Sequence, residues 1–220
     1  MWISDLLTEV LAAVVGIVIV LWIERQRRPH LSMEVGIPGT IDEADLLKRT
    51  PTTFLHVRIR NRNVPRWIGW VYNGEPALSC SAWVAFHHLD GHQVFAKEMT
   101  ARWTETPEPE VQQFKVADKM AARVTNVQNT VDIPPGDSAQ IDVVSRIKAD
   151  QECFGWNNES YLYNWRHPAW RLDKGRYIAR VRVKSGGREF TDAFLIVNDV
   201  GFDDFRLEPL SPEYRALVAG

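Results

Sequence analysis

Residues 10–23 read VLAAVVGIVIVLWI, fourteen positions without a polar side chain, and this run dominates the pattern of the chain. Extended back to Trp2 it spans twenty residues to Trp22, roughly 30 Å of helix, which matches the hydrocarbon thickness of a bilayer. Trp at both ends fits the interfacial belt of a membrane span. No Lys or Arg precedes the run and no small-residue cleavage site follows it, which favours a retained span over a removed signal peptide. Arg25, Arg27 and Arg28 follow it, so the positive-inside rule places the rest of the chain in the cytoplasm. Glu9, Ala12 and Gly16 share one stripe of this helix, with Asp5 one turn earlier. An acidic group beside a small-x-x-x-small pair is the pattern of a helix–helix interface; Asp5 and Glu9 lying in the headgroup region is the alternative.

Beyond Pro29, which ends the helix, the period changes to two. Residues 54–62 alternate, with Leu55, Val57 and Ile59 on one face and His56, Arg58, Arg60 and Arg62 on the other. Strands are also expected at 31–37 and at 77–89, with Leu78, Cys80, Ala82, Val84 and Phe86 inward. Asp90-Gly91 signals a two-residue hairpin into a return strand over 92–99. Residues 139–148 put Ile141, Val143 and Ile147 inward. Residues 176–184 and 188–197 form a hairpin about Gly186-Gly187, pairing Lys184 with Glu189 and Val183 with Phe190. About seven strands with short turns predict a mainly β protein, an antiparallel sandwich. Two insertions interrupt it. Residues 102–131 are expected to hold a short helix near 116–124, and residues 150–172 are rich in aromatics and amides. The domain plan is a membrane helix with its basic flank at 1–28, a sandwich at 29–205 and a tail at 206–220.

Several of these segments resemble immunoglobulin-like folds. Leu172-Asp173-Lys174-Gly175-Arg176-Tyr177 is similar to the Leu-x-x-Gly-x-Tyr corner before a late strand. Ile133-Pro134-Pro135-Gly136-Asp137 and Val57-Arg58-Ile59-Arg60-Asn61 resemble the middle turn and early strand of bacterial immunoglobulin-like modules of the CARDB type. The resemblance covers residues 55–197 in fragments and implies a fold, not an activity; such modules bind or space. It also implies that Tyr177 fills the core while its hydroxyl bonds upstream backbone.

Charge and composition narrow the function. With 26 Lys and Arg against 28 Asp and Glu the net charge is −2, which argues against a nucleic-acid-coating protein. Two cysteines, Cys80 and Cys153, build no disulfide framework and have no metal-ligand spacing. His87, His88 and His92 cluster about the hairpin, but the alternation places His88 on the other face, so a solvated turn is expected rather than a metal site. Phosphate-binding loops, nucleophile elbows and zinc-protease motifs are absent from the sequence, so no cofactor and no enzymatic activity are expected.

Two surfaces remain as candidates. His56, Arg58, Arg60, Arg62, Arg146 and Lys148 would form a basic patch on neighbouring strands, fit for an anionic small ligand or anionic lipid. The bland alternative is that outward Arg and Lys keep a sheet soluble, as for the second stripe of Arg180, Arg182 and Lys184. Trp156, Tyr161, Tyr163, Trp165 and Trp170, beside Asn157, Asn158 and Asn164, would suit stacking and hydrogen bonding to a partner, or else pack on themselves. Trp67 and Trp70, near Arg62 and Arg66, would dock on the membrane surface. The reading that follows is a membrane-anchored, non-enzymatic binding or assembly module whose partners are lipid and another membrane protein or a second copy. A membrane-disrupting effector triggered by an anionic ligand and an extracytoplasmic anchor for carbohydrate or protein are the alternatives.

Overall fold

The computed structural model describes residues 2–41, 50–63, 74–117 and 119–218. Side chains within the first helix are described at 11, 13–25 and 27, so those of Glu9 and Ala12 lie outside the described residues, as do Trp67 and Trp70.

The chain opens with helix α1 (Trp2–Arg27), 26 residues long. Among the described residues no helix is long and apolar enough to cross a membrane. The described apolar side chains of α1 are nonetheless uncovered: Leu11, Val14, Val15, Ile17, Val18, Ile19, Val20, Leu21 and Trp22 are 42–65% exposed.

The rest is mainly β and antiparallel. One sheet runs β1 (Leu31–Val35), β3 (Thr52–Asn61), β9 (Ser138–Ile147), β10 (Cys153–Gly155) and β11 (Arg171–Leu172), with β2 (Gly39–Ile41) also on β3. The other runs β14 (Arg206–Pro209), β13 (Arg188–Val197), β12 (Arg176–Ser185), β4 (Ala77–His87) and β5 (Met99–Thr100), with β8 (Val131–Ile133) also on β4. Leu55, Val57, Ile59 and Ile141 of the first sheet share one core with Val84, Phe86, Val181 and Val183 of the second. That arrangement is compatible with a β-sandwich.

Several turns follow the sequence closely. Pro135 and Gly136, the latter at φ +86°, occupy the centre of a turn closed by Asp137 N–H to Pro134 O at 3.1 Å; only an achiral residue meets that φ without strain. Gly186 and Gly187, both at positive φ, close β12 onto β13 with Lys184 opposite Glu189 and Val183 opposite Phe190, as expected.

Three expectations fail at bulges. In β4, Ser79 takes φ +48° and the register to β8 slips between Ala77 and Cys80. Parity flips there, so Ala77 is buried while Leu78, expected inward, is 53% exposed. In β9, Leu55 pairs Val144 while His56 pairs Asp142, leaving Val143 without a partner on β3. Beyond that bulge Arg146 turns inward. At the β4 hairpin only Gly91, and not Asp90, has positive φ. Gly91 N–H bonds His88 O and His88 N–H bonds His92 O, so the turn holds one more residue than expected and His87 pairs Gln93. The expected return strand over 92–99 shrinks to β5. The chain between loops out, and Phe95 packs edge-on against Phe86 and Trp170.

The helix expected near 116–124 is instead a β-hairpin, β6 (Glu110–Val116) and β7 (Lys119–Thr125). Ala117 at φ +52° makes the turn. Ala and Lys favour helix there, but so short an isolated helix is marginal, and strand pairing overrides propensity. The expected tail at 206–220 is partly structured: β14 extends the second sheet, and α2 (Pro212–Leu217) follows it, where Leu210, Tyr214 and Val218 cover Ile178 and Ala193.

Tyr177 is buried and belongs to the core, but among the described residues its hydroxyl makes no hydrogen bond. It rests beside Gly175 instead, 3.6 Å from where a Cβ there would sit. The expected corner bond is therefore not made. Tyr177→Phe is expected to change unfolding free energy by less than about 0.5 kcal/mol, since no bond is lost. A larger loss in a urea titration would restore the corner.

Candidate functional site

The six basic candidates do not form one patch. Arg60 and Arg62 are exposed and Arg58 is half-buried. Arg58 and Arg60 line a hollow of about 480 Å³, but Glu34, Asp132 and Asp137 line it too, and Arg58 Nη1 stands 3.5 Å from Glu34 Oε1. Three carboxylates against two guanidiniums give no net attraction for an anion. Lys148 is exposed beyond the far end of β9, about 30 Å along the strands from Arg60. His56 and Arg146, expected outward, are buried at 6% exposure each. The bulge carries Arg146 to the core side, where Nη1 bonds Val200 O at 3.0 Å, Nε bonds Asp150 O at 3.3 Å, and the guanidinium lies over Phe205.

His56 stays on the outer face of its sheet, but that face is roofed. Arg102–Thr104 runs beside β9 where β10 leaves it, bonded by Thr104 N–H to Gln140 O and Asp142 N–H to Arg102 O. This places Arg102 and Thr104 on the same face as Asp142, with Trp103 turned into the core. Asp142, 2% exposed, then accepts three hydrogen bonds and stands against the His56 ring. Thr104 Oγ1 and His56 Nδ1 reach Oδ1 at 2.8 and 2.9 Å. Arg102 Nη1 and Trp156 Nε1 reach Oδ2 at 2.8 and 2.9 Å. Both carboxylate oxygens are thus hydrogen-bonded.

This set has the residue types of a hydrolytic triad without its geometry. Thr104 and Asp142 both approach His56 Nδ1, so no base stands between acid and hydroxyl. His56 Nε2 faces Gly39, 3.1 Å from where a Cβ would sit. Burial also pushes the Cys153 thiol up, against a smaller downward pull from Arg146, so it is a poor nucleophile at neutral pH. Among the described residues no group of three or more His, Cys, Asp and Glu could hold a metal ion. The Asp142 cluster is a clasp that fixes both insertions to one sheet.

The aromatic insertion is largely packed on itself. Trp156 meets Phe54 at 4.8 Å, Tyr161 at 5.4 Å and Trp165 at 5.7 Å between ring centroids. Tyr163 is exposed and stacks on His167. Asn157 caps the 3-10 turn at 158–163 in a reciprocal box with Ser160. Trp170, itself buried, lines a groove of about 450 Å³ with residues of β7 and the amides of Asn129, Asn157 and Asn158. Sequence reasoning passed over Asp142, Arg102 and Thr104; the one available signal was an acid between Ile141 and Val143-Val144 in the middle of a strand.

The chain matches no described protein family, and no curated protein matches it.

The apolar helix is joined tightly to the sheets. Glu75 N–H bonds the Arg27 carbonyl at 2.8 Å, Arg62 N–H bonds His30 O at 3.0 Å, and His30 N–H reaches Asn61 Oδ1. The basic end of α1 is therefore anchored to one end of the β-sheets.

Proposed function

We propose that this chain is a membrane-anchored, non-enzymatic binding module, with α1 in the bilayer and an immunoglobulin-like sandwich in the cytosol. The observation that carries the reading is the row of nine uncovered apolar residues on α1. Each half-exposed Val, Leu or Ile forgoes on the order of 1 kcal/mol relative to burial. Nine together rival the whole stability of a domain, so the helix needs a cover that the described sheets do not give it. Lipid supplies it, and the apolar residues N-terminal to Leu11 in the sequence extend the run toward a full span.

Full-length protein is expected to sediment with membranes and to stay there after alkaline carbonate. A chain lacking residues 2–24 should be released, and a C-terminal reporter should be active in the cytoplasm. Recovery of the full chain in the soluble fraction would overturn the anchor, and a reporter active outside would overturn the orientation.

Self-association through α1 is part of this reading. A Cβ at Gly16 would meet nothing within 4 Å, so the isolated chain gives no reason for glycine there. Gly16→Leu is expected to weaken association in a membrane-helix dimerisation assay, whereas Val15→Leu should not. Equal signals from both would leave α1 a passive anchor.

A further inference from the structure

We infer that the hollow between α2 and the outer face of β12 and β13 binds a small organic carboxylate, with Arg180 as its counter-ion. The inference rests on the binding half of the proposed function and is independent of the membrane half.

Ala179 and Val181 lie in the core, so Arg180 between them stands on the outer face of its sheet. Its partners across the ladder are Ala85 on β4 and Ala193 on β13. Two alanines leave the face beside this long side chain low. The segment after β14 walls the low ground: Leu210, Tyr214 and Val218 pack over Ile178 and Ala193. A hollow of about 320 Å³ remains, lined by Arg180, Thr191, Asp192, Ala193, Arg215 and Val218. That is room for a small molecule.

Arg180 is the odd member of the basic stripe on this face. Arg182 is held by Glu98 and Glu189 and lies 4.5 Å over the Trp83 ring, and Lys184 reaches Glu189 at 3.4 Å. Each other arginine that is buried or half-buried among the described residues also has a carboxylate or carbonyl partner. Arg180 is half-buried and has none among them. Its Nε is out of reach of water and meets no acceptor, so the lost hydration is offset by nothing in the described chain. The neighbours decide the charge of the ligand. Arg215 Nη1 stands 3.3 Å from Asp192 Oδ1, which also accepts the Ala193 N–H at 2.8 Å. That carboxylate is committed to its own pair, so two guanidiniums against one carboxylate leave one positive charge in the hollow. A monoanion balances it, whereas a dianionic phosphate would add repulsion against Asp192. A guanidinium offers a carboxylate its planar fork, and Ala193 and Val218 offer apolar contact to a short hydrocarbon stem.

The test titrates full-length protein in nanodiscs of neutral lipid with sodium butyrate, and follows the Arg180 Nε–H and the Ala193 amide by NMR. Both resonances should shift along one saturating curve, with a Kd of about 1–10 mM for so small a ligand. Butyramide, neutral and of the same shape, should shift neither. Inorganic phosphate, mostly a dianion above neutral pH, should bind about fivefold more weakly or worse. Arg180→Met keeps the aliphatic stem and removes the charge, so it should weaken butyrate about tenfold, read at Ala193. Lys184→Met, on the same stripe, should leave the affinity unchanged. Should Arg180→Met fail to fold, the wild-type contrast between butyrate and butyramide decides alone. Equal shifts from those two, no saturation by butyrate, tighter binding of phosphate, or full affinity in Arg180→Met would each overturn the carboxylate site. A binding role through another surface then stands, and the fractionation experiment judges the anchor separately.

Discussion

Replacing Asp142 by Asn is expected to cost about 3–5 kcal/mol of unfolding free energy. The side chain keeps its shape, so packing is not the cause. Three hydrogen-bond donors and the His56 ring converge on the carboxylate, and one of the donors, Arg102, is a buried cation at 5% exposure. With Asn, one oxygen becomes an NH2 group that faces donors, and the Arg102 charge loses its counter-ion in a site water does not reach. Arg102 Nη2 keeps its bond to Thr106 O at 2.7 Å, but a carbonyl dipole does not replace a charge. Against a typical stability of 5–15 kcal/mol, the variant is near the limit of folding. Urea denaturation followed by tryptophan fluorescence reads the change, since Trp103 and Trp156 flank the site. Combining Asp142→Asn with Arg102→Met should recover a substantial part of the loss, because the uncompensated cation goes with it. Simple addition of the two single costs would show that the ion pair is not what the site depends on.

The same cluster explains how much of this molecule was readable beforehand. Alternation located β3, β9, β12 and β13 to within two residues at each end, because a strand with one buried face writes its period into the sequence. It failed wherever one residue was added. Arg146 and Leu78 each sit just beyond a bulge and land on the face opposite to the expected one. The two-residue hairpin expected at Asp90-Gly91 failed for the same reason, through one extra residue in the turn. A bulge leaves no local mark when Val143-Val144 is equally apolar on both sides of it. The hairpin β6–β7 was missed for a different reason: none of its residues is fully buried, so no buried face imposes a period, and Ala-rich composition points to helix. His56 failed for a third. Its parity was right, but the outer face is covered by segments 40 to 100 residues away in sequence, and alternation along one strand carries no trace of what roofs it.

The joint between α1 and the sheets should depend on Asn61 almost as strongly. Asn61 is 1% exposed. Its Nδ2 donates to Glu75 O and Ile133 O, both at 3.0 Å, and its Oδ1 accepts from His30 N–H at 3.3 Å. Its own backbone is held by Asp137 O and Gly136 N–H at the Pro-Pro-Gly-Asp turn. One side chain therefore ties the linker after α1, the start of β4 and the end of β8 to the end of β3. Asn61→Ala leaves two carbonyls and one amide without their partner, at about 2–4 kcal/mol in total. Asn61→Asp keeps the shape and the acceptor but sets a carboxylate oxygen against both carbonyls, so it should do no better than Ala. The consequence reaches beyond stability. Glu75 N–H also caps the last carbonyl of α1, so losing the Asn61 bond to Glu75 O loosens the helix as well as the sheet. Spin labels at Leu21→Cys and Thr191→Cys should give a narrow distance distribution in the otherwise native chain, since Cys80 and Cys153 are buried and leave no competing thiol. Asn61→Ala should broaden it under conditions where the sheets remain folded. An unchanged width would mean that the Arg27–Glu75 contacts alone hold the helix, and that Asn61 serves only the sheet edge.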